Sequence, residues 1–314
     1  MSFVITTQSL PRASEASRGA APAVEARTAP RLSDWCILTK PGISAMTLVT
    51  ALAGYHLASG GHWSLPTVVA MLVGTALSGA GANALNMWLE RDRDALMRRT
   101  ANRPIPAGRI SPRGALLFGL LLSVAGPAVL AGGVGSLPSL IAAFTVATYV
   151  LVYTPLKHVT SANTLVGAVP GALPPLIGWS AASGTIDARA WGIFLILFFW
   201  QLPHFLAIAW RWREDYERGG YRMLTVGDTE GLRTARQVVL QTLALVAVSL
   251  LPAVQGLAGG LYAAGAVLLG LGFLWFGIRF AVSRTEARAR RLFVASIVYL
   301  PVLLAILVIG RTGF

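Results

Sequence analysis

The chain has 314 residues and a formal charge of +13; 55% of it is hydrophobic and only 12% charged, against roughly a quarter charged in soluble domains. That composition excludes an ordinary soluble domain. The basic residues sit in short stretches between apolar segments, which excludes a nucleic-acid-binding face. A single cysteine, Cys36, excludes an intrachain disulfide framework or a thiolate-ligated metal.

Residues 1–34 are rich in Ala, Ser, Arg and Pro and carry no apolar run, so they are predicted to be a disordered tail. The tail lacks the apolar core of a secretory signal, and Glu15 and Glu25 argue against an organellar transit peptide. Residues 35–314 are then one membrane domain. Nine apolar segments of spanning length follow, at about 42–60, 66–87, 114–131, 137–154, 163–182, 190–210, 237–257, 262–281 and 291–310. The fifth is interrupted by Pro170, Pro174 and Pro175. Such breakers are tolerated only where protein or a cavity satisfies the freed backbone groups, so this segment is a candidate cavity wall. Gly74–Gly81 and Gly167–Gly171 match close packing of helices on small residues. The predicted class is all-α, a polytopic bundle of nine membrane helices.

With nine spans, every Lys and Arg except Arg189 and Arg311 falls on one side. The positive-inside rule then places the N-terminus and the charged loops in the cytoplasm.

Two constellations carry chemistry. In Asn83–Pro104, NALNMWLERDRDALMRRTANRP, a helix would set Asn86, Glu90 and Asp94 one turn apart, with Asn83 as the i−3 neighbour of Asn86. Arg98, Arg99 and Arg103 follow. Oxygen donors at this spacing suit Mg²⁺, with a phosphate completing the shell; the competing reading is a solvated, salt-bridged helix end. The second constellation, Trp200–Leu224, leaves the sixth span. If its helix is continuous, His204, Ile208, Arg211 and Asp215 share a stripe. Eight of the 13 acidic residues lie in these two regions or, as Asp228 and Glu230 do, just beyond the second. Two carboxylate sets facing one cavity would form a Mg²⁺–diphosphate site, with neighbouring Arg and Lys taking up phosphate charge. His204, inside the span after Pro203, reads either as a packing residue or as an imidazole ligand of the type that binds haem iron. His158 lies beside Lys157 and Tyr153 in a short loop and reads as interfacial; His56 and His62 receive no chemistry.

The run Asn86-x3-Glu90-x3-Asp94, followed by Arg99-Thr100-x2-Arg103-Pro104, resembles the first aspartate-rich motif of UbiA-type intramembrane prenyltransferases. Asn86–Ile110, Tyr153–Trp179 and Pro203–Leu224 together are similar to the protohaem IX farnesyltransferase branch, and the resemblance covers about residues 35–310. Two positions depart from the pattern: Glu90 stands where Asp is usual, and His204 where an acid would be expected. The resemblance implies helices around a central cavity, with farnesyl diphosphate and haem b as substrates and haem O and diphosphate as products. It implies Mg²⁺ held by Asn86, Glu90, Asp94 and Asp215, with Asn83 beside them. Arg99, Arg103 and Lys157 would take leaving-group charge, and Arg211 and His158 would be further substrate-binding residues. Tyr153 would position the diphosphate through its hydroxyl, and His204 would contact the haem iron or its propionates. Expected surroundings are the lipid bilayer of a cell inner membrane, or alternatively the mitochondrial inner membrane, with haem A synthase or oxidase assembly proteins as partners and no nucleic acid. Competing functions are a quinone-precursor or chlorin prenyltransferase, a transporter, and an oxidase assembly factor. Against a transporter, the charges gather at one surface rather than the midplane.

Overall fold

A computed structural model describes residues 30–312. The helices, in order, are α1 (Leu32–Thr39), α2 (Pro41–Ala58), α3 (Leu65–Asp94), α4 (Pro112–Gly133), α5 (Ser136–Leu156), α6 (Asn163–Ser183), α7 (Ala188–Arg211), α8 (Arg213–Arg218), α9 (Leu232–Val254), α10 (Gly260–Ser283) and α11 (Glu286–Ile309). Eight are long and apolar enough to cross a membrane, and α1 with α2, bent by 48°, form a ninth as a pair. Eight of the nine expected spans are single helices, and the first coincides with the bent pair; among the described residues the protein is a polytopic, all-helical membrane protein.

Most of the expected tail, residues 1–29, lies outside the described residues. Its last part is corrected by the structure, because Leu32–Asp34 begin α1. Asp34 accepts from Arg31 N at 3.1 Å and pairs with Arg109 at 2.7 Å, which ties this turn to the loop after α3.

Small residues set the closest helix contacts. A Cβ at Gly74 would meet Leu130 at 2.6 Å and one at Gly81 would meet Ser123 at 2.5 Å, so α3 and α4 pack nearly backbone to backbone. A Cβ on Gly178 of α6 would fall on the Ala51 carbonyl of α2. The proline break in α6 comes at Leu173, between a helix ending at Ala172 and one starting at Pro174. There Gln201 of α7 fills the space left by Gly171 and donates from Nε2 to Ala168 O at 2.8 Å. Protein supplies the donor that lipid could not.

α7, α9, α10 and α11 close the other half of the bundle around fully buried Phe280, Leu292, Leu300 and Leu303. Large apolar side chains such as Leu117, Leu268 and Ile309 stay exposed, as a lipid-facing surface requires.

Two local features aim the polar residues. At 30 residues α3 is about 45 Å long, well beyond the roughly 30 Å hydrocarbon core, so its charged last turns emerge from the apolar layer. In α5, Thr148–Tyr153 are wound as a π-helix before the final turn, a local unwinding frequent at functional sites.

Candidate active site

Asn83, Asn86, Glu90 and Asp94 face inward from α3 and are at most 7% exposed. Buried polar groups need partners, and each finds one on a different segment. Asn83 Nδ2 donates to Thr39 O at 3.2 Å. Asn86 donates from Nδ2 to Thr154 Oγ1 at 3.2 Å and accepts at Oδ1 from Lys40 Nζ at 2.9 Å. Thr154 gives its own proton to Tyr149 O at 2.8 Å, which fixes the Asn86 amide the right way round. Glu90 pairs with Lys157 at 2.8 Å and Asp94 Oδ2 with Arg103 at 2.6 Å. Asp94 Oδ1 is buried with no partner.

The π-wound turn of α5 carries Tyr149, Tyr153, Thr154 and Lys157 to this face of α3. Lys157 lies over the Tyr153 ring with Nζ 4.5 Å from its centroid. Gly167 leaves that ring its room, since a Cβ there would collide with it. Burial works against the Lys157 ammonium, but the Glu90 carboxylate outweighs it and holds the pKa well above the ordinary lysine value. Lys40 links α1 to α2 in a left-handed conformation, φ 48°, which costs about 1–2 kcal/mol for a residue with a Cβ.

The second constellation is rearranged relative to the expectation. α7 ends at Arg211, Trp212 leaves helical geometry, and α8 starts afresh at Arg213. His204, Arg211 and Asp215 therefore do not form one stripe. Asp215, 3% exposed, turns to the first motif: its Oδ2 accepts from Arg99 N at 3.1 Å while its Oδ1 pairs with Arg218. The Arg99 guanidinium lies 5.6 Å from the ring centroids of both Trp212 and Tyr216. Arg93 ties the same two segments by donating to Gly219 O at 2.9 Å.

His204 and Arg211 instead face α11. His204 Nδ1 is 2.7 Å from Ser296 Oγ. The Arg211 guanidinium is 5.9 Å from the Phe293 ring, and its Nε is buried without a partner. His158 packs on Tyr221, ring centroids 4.7 Å apart. Burial, then Arg93, hold its imidazole below the usual pKa, so it is neutral at pH 7. The other acids of this region lie apart. Asp228 accepts from Thr234 N at 2.7 Å at the start of α9, and Glu214, Glu217 and Glu230 are exposed. The second carboxylate set thus reduces to Asp215.

Among the described residues, no group of three or more His, Cys, Asp and Glu side chains is arranged to hold a metal. The arrangement is an alternation: Lys40, Lys157, Arg103 and Arg218 each face one oxygen of Asn86, Glu90, Asp94 and Asp215. Such a set can accept a polyanion on its cations while its oxygens, Asp94 Oδ1 first, turn to a hard cation. A polar pocket of about 390 Å³ opens beside it, lined by Arg98, Arg211, Asp215, Arg218 and Arg284 among others. A roomier apolar groove of about 940 Å³ between α10 and α11 lies among other residues and includes none of these acids. Sequence reasoning missed Lys40, Thr154, Arg218 and Ser296. Lys40 had a signal, since it stands in Lys-Pro-Gly at the mouth of the first span, but its charge was counted only toward topology.

The description "UbiA prenyltransferase family" matches residues 47–300. A protoheme IX farnesyltransferase of Solibacter usitatus is 44% identical over 291 residues, covering 90% of this chain and all of that protein. One of Salinibacter ruber is 45% identical over 278 residues, covering 88% of this chain and 98% of that protein. Among solved structures, a digeranylgeranylglyceryl phosphate synthase superposes with a TM-score of 0.75 at 15% identity, over 89% of this chain and 98% of its own. A UbiA homologue of Archaeoglobus fulgidus bound to GPP and Mg²⁺ does so with 0.61 at 14% identity, over 87% and 99%. At those identities the likeness is one of fold.

Proposed function

Because this chain belongs to the UbiA prenyltransferase family, we propose that it transfers the farnesyl group of farnesyl diphosphate to a vinyl group of protohaem IX, with addition of water and release of diphosphate. The observation that carries this reading is the buried alternation of carboxamide, carboxylates and cations at the end of α3, which matches a diphosphate with its counter-ion. Relatives 41–46% identical over most of the chain bear the corresponding name.

The residues fit Mg²⁺ in donor type and in the orphaned Asp94 Oδ1. Asn86, Glu90, Asp94 and Asp215 would hold it, and when bound it supplies charge neutralisation for the departing diphosphate. Lys157 and Arg103, released from Glu90 and Asp94, pair with phosphate oxygens, as does Arg99; Tyr153 and His158 position that group. The C1–O bond of the farnesyl chain breaks with its electron pair leaving on the diphosphate. The vinyl π pair forms the new carbon–carbon bond to C1. The cation left beside the macrocycle takes the oxygen of water, and one proton is released. Apolar helix walls keep other water from the allylic cation. His204 contacts the haem. In this reading the membrane is a cell inner membrane, and the charged end of the bundle faces the cytoplasm.

The test is mass analysis of haem after detergent-purified protein is incubated with haem b, farnesyl diphosphate and Mg²⁺. A mass gain of farnesyl plus hydroxyl, abolished by EDTA, is expected. No gain, or prenylation of 4-hydroxybenzoate in its place, overturns the proposal.

A further inference from the structure

Ser296 is fully buried on α11 and faces α7. Its Oγ lies 2.6 Å from Phe293 O and 2.7 Å from His204 Nδ1. Two oxygens that close repel unless a proton lies between them, and a serine hydroxyl has only one. That proton goes to Phe293 O, so Oγ presents lone pairs to the ring and Nδ1 must supply the hydrogen. Donor–acceptor balance therefore assigns His204 as the neutral Nδ1–H tautomer, with its lone pair on Nε2.

The ring has little freedom. Trp200 donates from Nε1 to Ser296 O at 2.7 Å and stacks on the imidazole with centroids 5.0 Å apart and planes at 24°. Phe293 is also against the ring, at 5.1 Å. Nε2 makes no hydrogen bond, and His204 is only partly buried. An ionisable side chain inside a span with its base atom unbonded is expensive to keep without a use.

We propose that Ser296 is a positioning residue that holds His204 as the Nδ1–H tautomer and so reserves Nε2 for the iron of the haem acceptor. The proposal rests on the reading above that the acceptor is a haem. It also decides between the two contacts open to His204. A propionate needs a donor, and Nε2 offers a lone pair; iron needs that lone pair. The Nδ1–H···Oγ bond is the kind of outer contact that orients a ligating imidazole and raises its basicity.

The test uses full-length protein in detergent with added haem b, read by visible absorption and by the iron–histidine stretching band of the ferrous form. Wild type is expected to show histidine ligation. His204→Ala should lose the band, and free imidazole should restore it. Ser296→Ala and the nearly isosteric Ser296→Cys should keep the band but move it to lower frequency and weaken haem affinity about 10-fold, with Ser296→Thr returning both to wild type. A His204→Ala spectrum identical to wild type overturns the proposal. So do Ser296→Cys and Ser296→Ala proteins that match wild type in band and affinity. Haem O formation is measured on the same samples. A wild type that farnesylates haem but owes nothing spectroscopically to His204 sinks this inference alone. One that binds haem through His204 and never farnesylates it sinks the functional reading alone.

Discussion

Removing the Lys157 ammonium while leaving Glu90 should cost nearly as much as removing both. The pair is 2.8 Å apart, with side chains 13% and 5% exposed. At an effective dielectric near 20 that separation corresponds to about 6 kcal/mol of attraction. Desolvation offsets much of it, but stranding one buried partner still costs about 3–5 kcal/mol. Lys157→Met and Glu90→Gln are each expected to lose about 3 kcal/mol, and the double variant to recover about 2–3 kcal/mol of the summed loss. Unfolding in a single detergent, followed by tryptophan fluorescence, measures this cycle. The Lys157 pKa is raised in the folded state. Its contribution is therefore complete below the unfolded value near 10.4 and is lost only as pH rises through the higher folded one. The coupling should be flat from about pH 6 to 9. If Glu90 turns to the cation and Lys157 to phosphate, as proposed, adding Mg²⁺ with inorganic diphosphate should shrink it. Additive single losses, within about 0.5 kcal/mol, would refute the reasoning.

Asp94→Asn keeps the volume but removes the charge. Its kcat/KM for farnesyl diphosphate should fall at least about 100-fold, with more Mg²⁺ needed for half-maximal rate; an unchanged Mg²⁺ titration counts against ligation by Asp94. Asp228→Asn should cost about 1 kcal/mol at pH 7 through the weakened contact to Thr234 N. Burial opposes the Asp228 charge, but contacts from Thr234 and Arg233 together outweigh it and lower its folded pKa. The stabilisation is thus present above the unfolded value near 3.9 and lost as pH falls through the folded one, so melting curves of the two proteins should converge in acid. Gly178→Ala should destabilise by about 1–3 kcal/mol because its methyl meets the Ala51 carbonyl. Gly79→Ala, in the same kind of helix but with open space around it, should stabilise by about 0.4–1 kcal/mol. Equal effects at the two glycines, read by thermal unfolding, would remove the packing argument.

The spans were legible because hydropathy is summed over some twenty residues and single exceptions average out. The acidic face of α3 was legible for a different reason: Asn86, Glu90 and Asp94 are local, and helical spacing alone puts them together. What stayed hidden depends on partners far along the chain. Lys40 meets Asn86 across 46 positions, and Lys157 meets Glu90 across 67. The second constellation was misread at one residue. Trp212, at φ −115° and ψ 23°, breaks a helix that nothing in WRWREDYER interrupts by propensity, and so turns Asp215 away from His204. Ser296 is a lone hydroxyl in the apolar helix α11, and its meaning comes only from the imidazole opposite.

The π-wound stretch Thr148–Tyr153 separates two rotational phases on one rod. Below it, α5 is turned to suit its neighbours in the membrane; above it, Thr154 and Lys157 are turned to suit Asn86 and Glu90. The same six residues wound as an ordinary α-helix would instead rotate everything beyond them by about 100°, the turn of one residue. The bundle could insert as before, yet the lysine would point elsewhere. The phase of the chemistry is counted independently of the phase of the bilayer, and a single residue of chain length keeps the account between them.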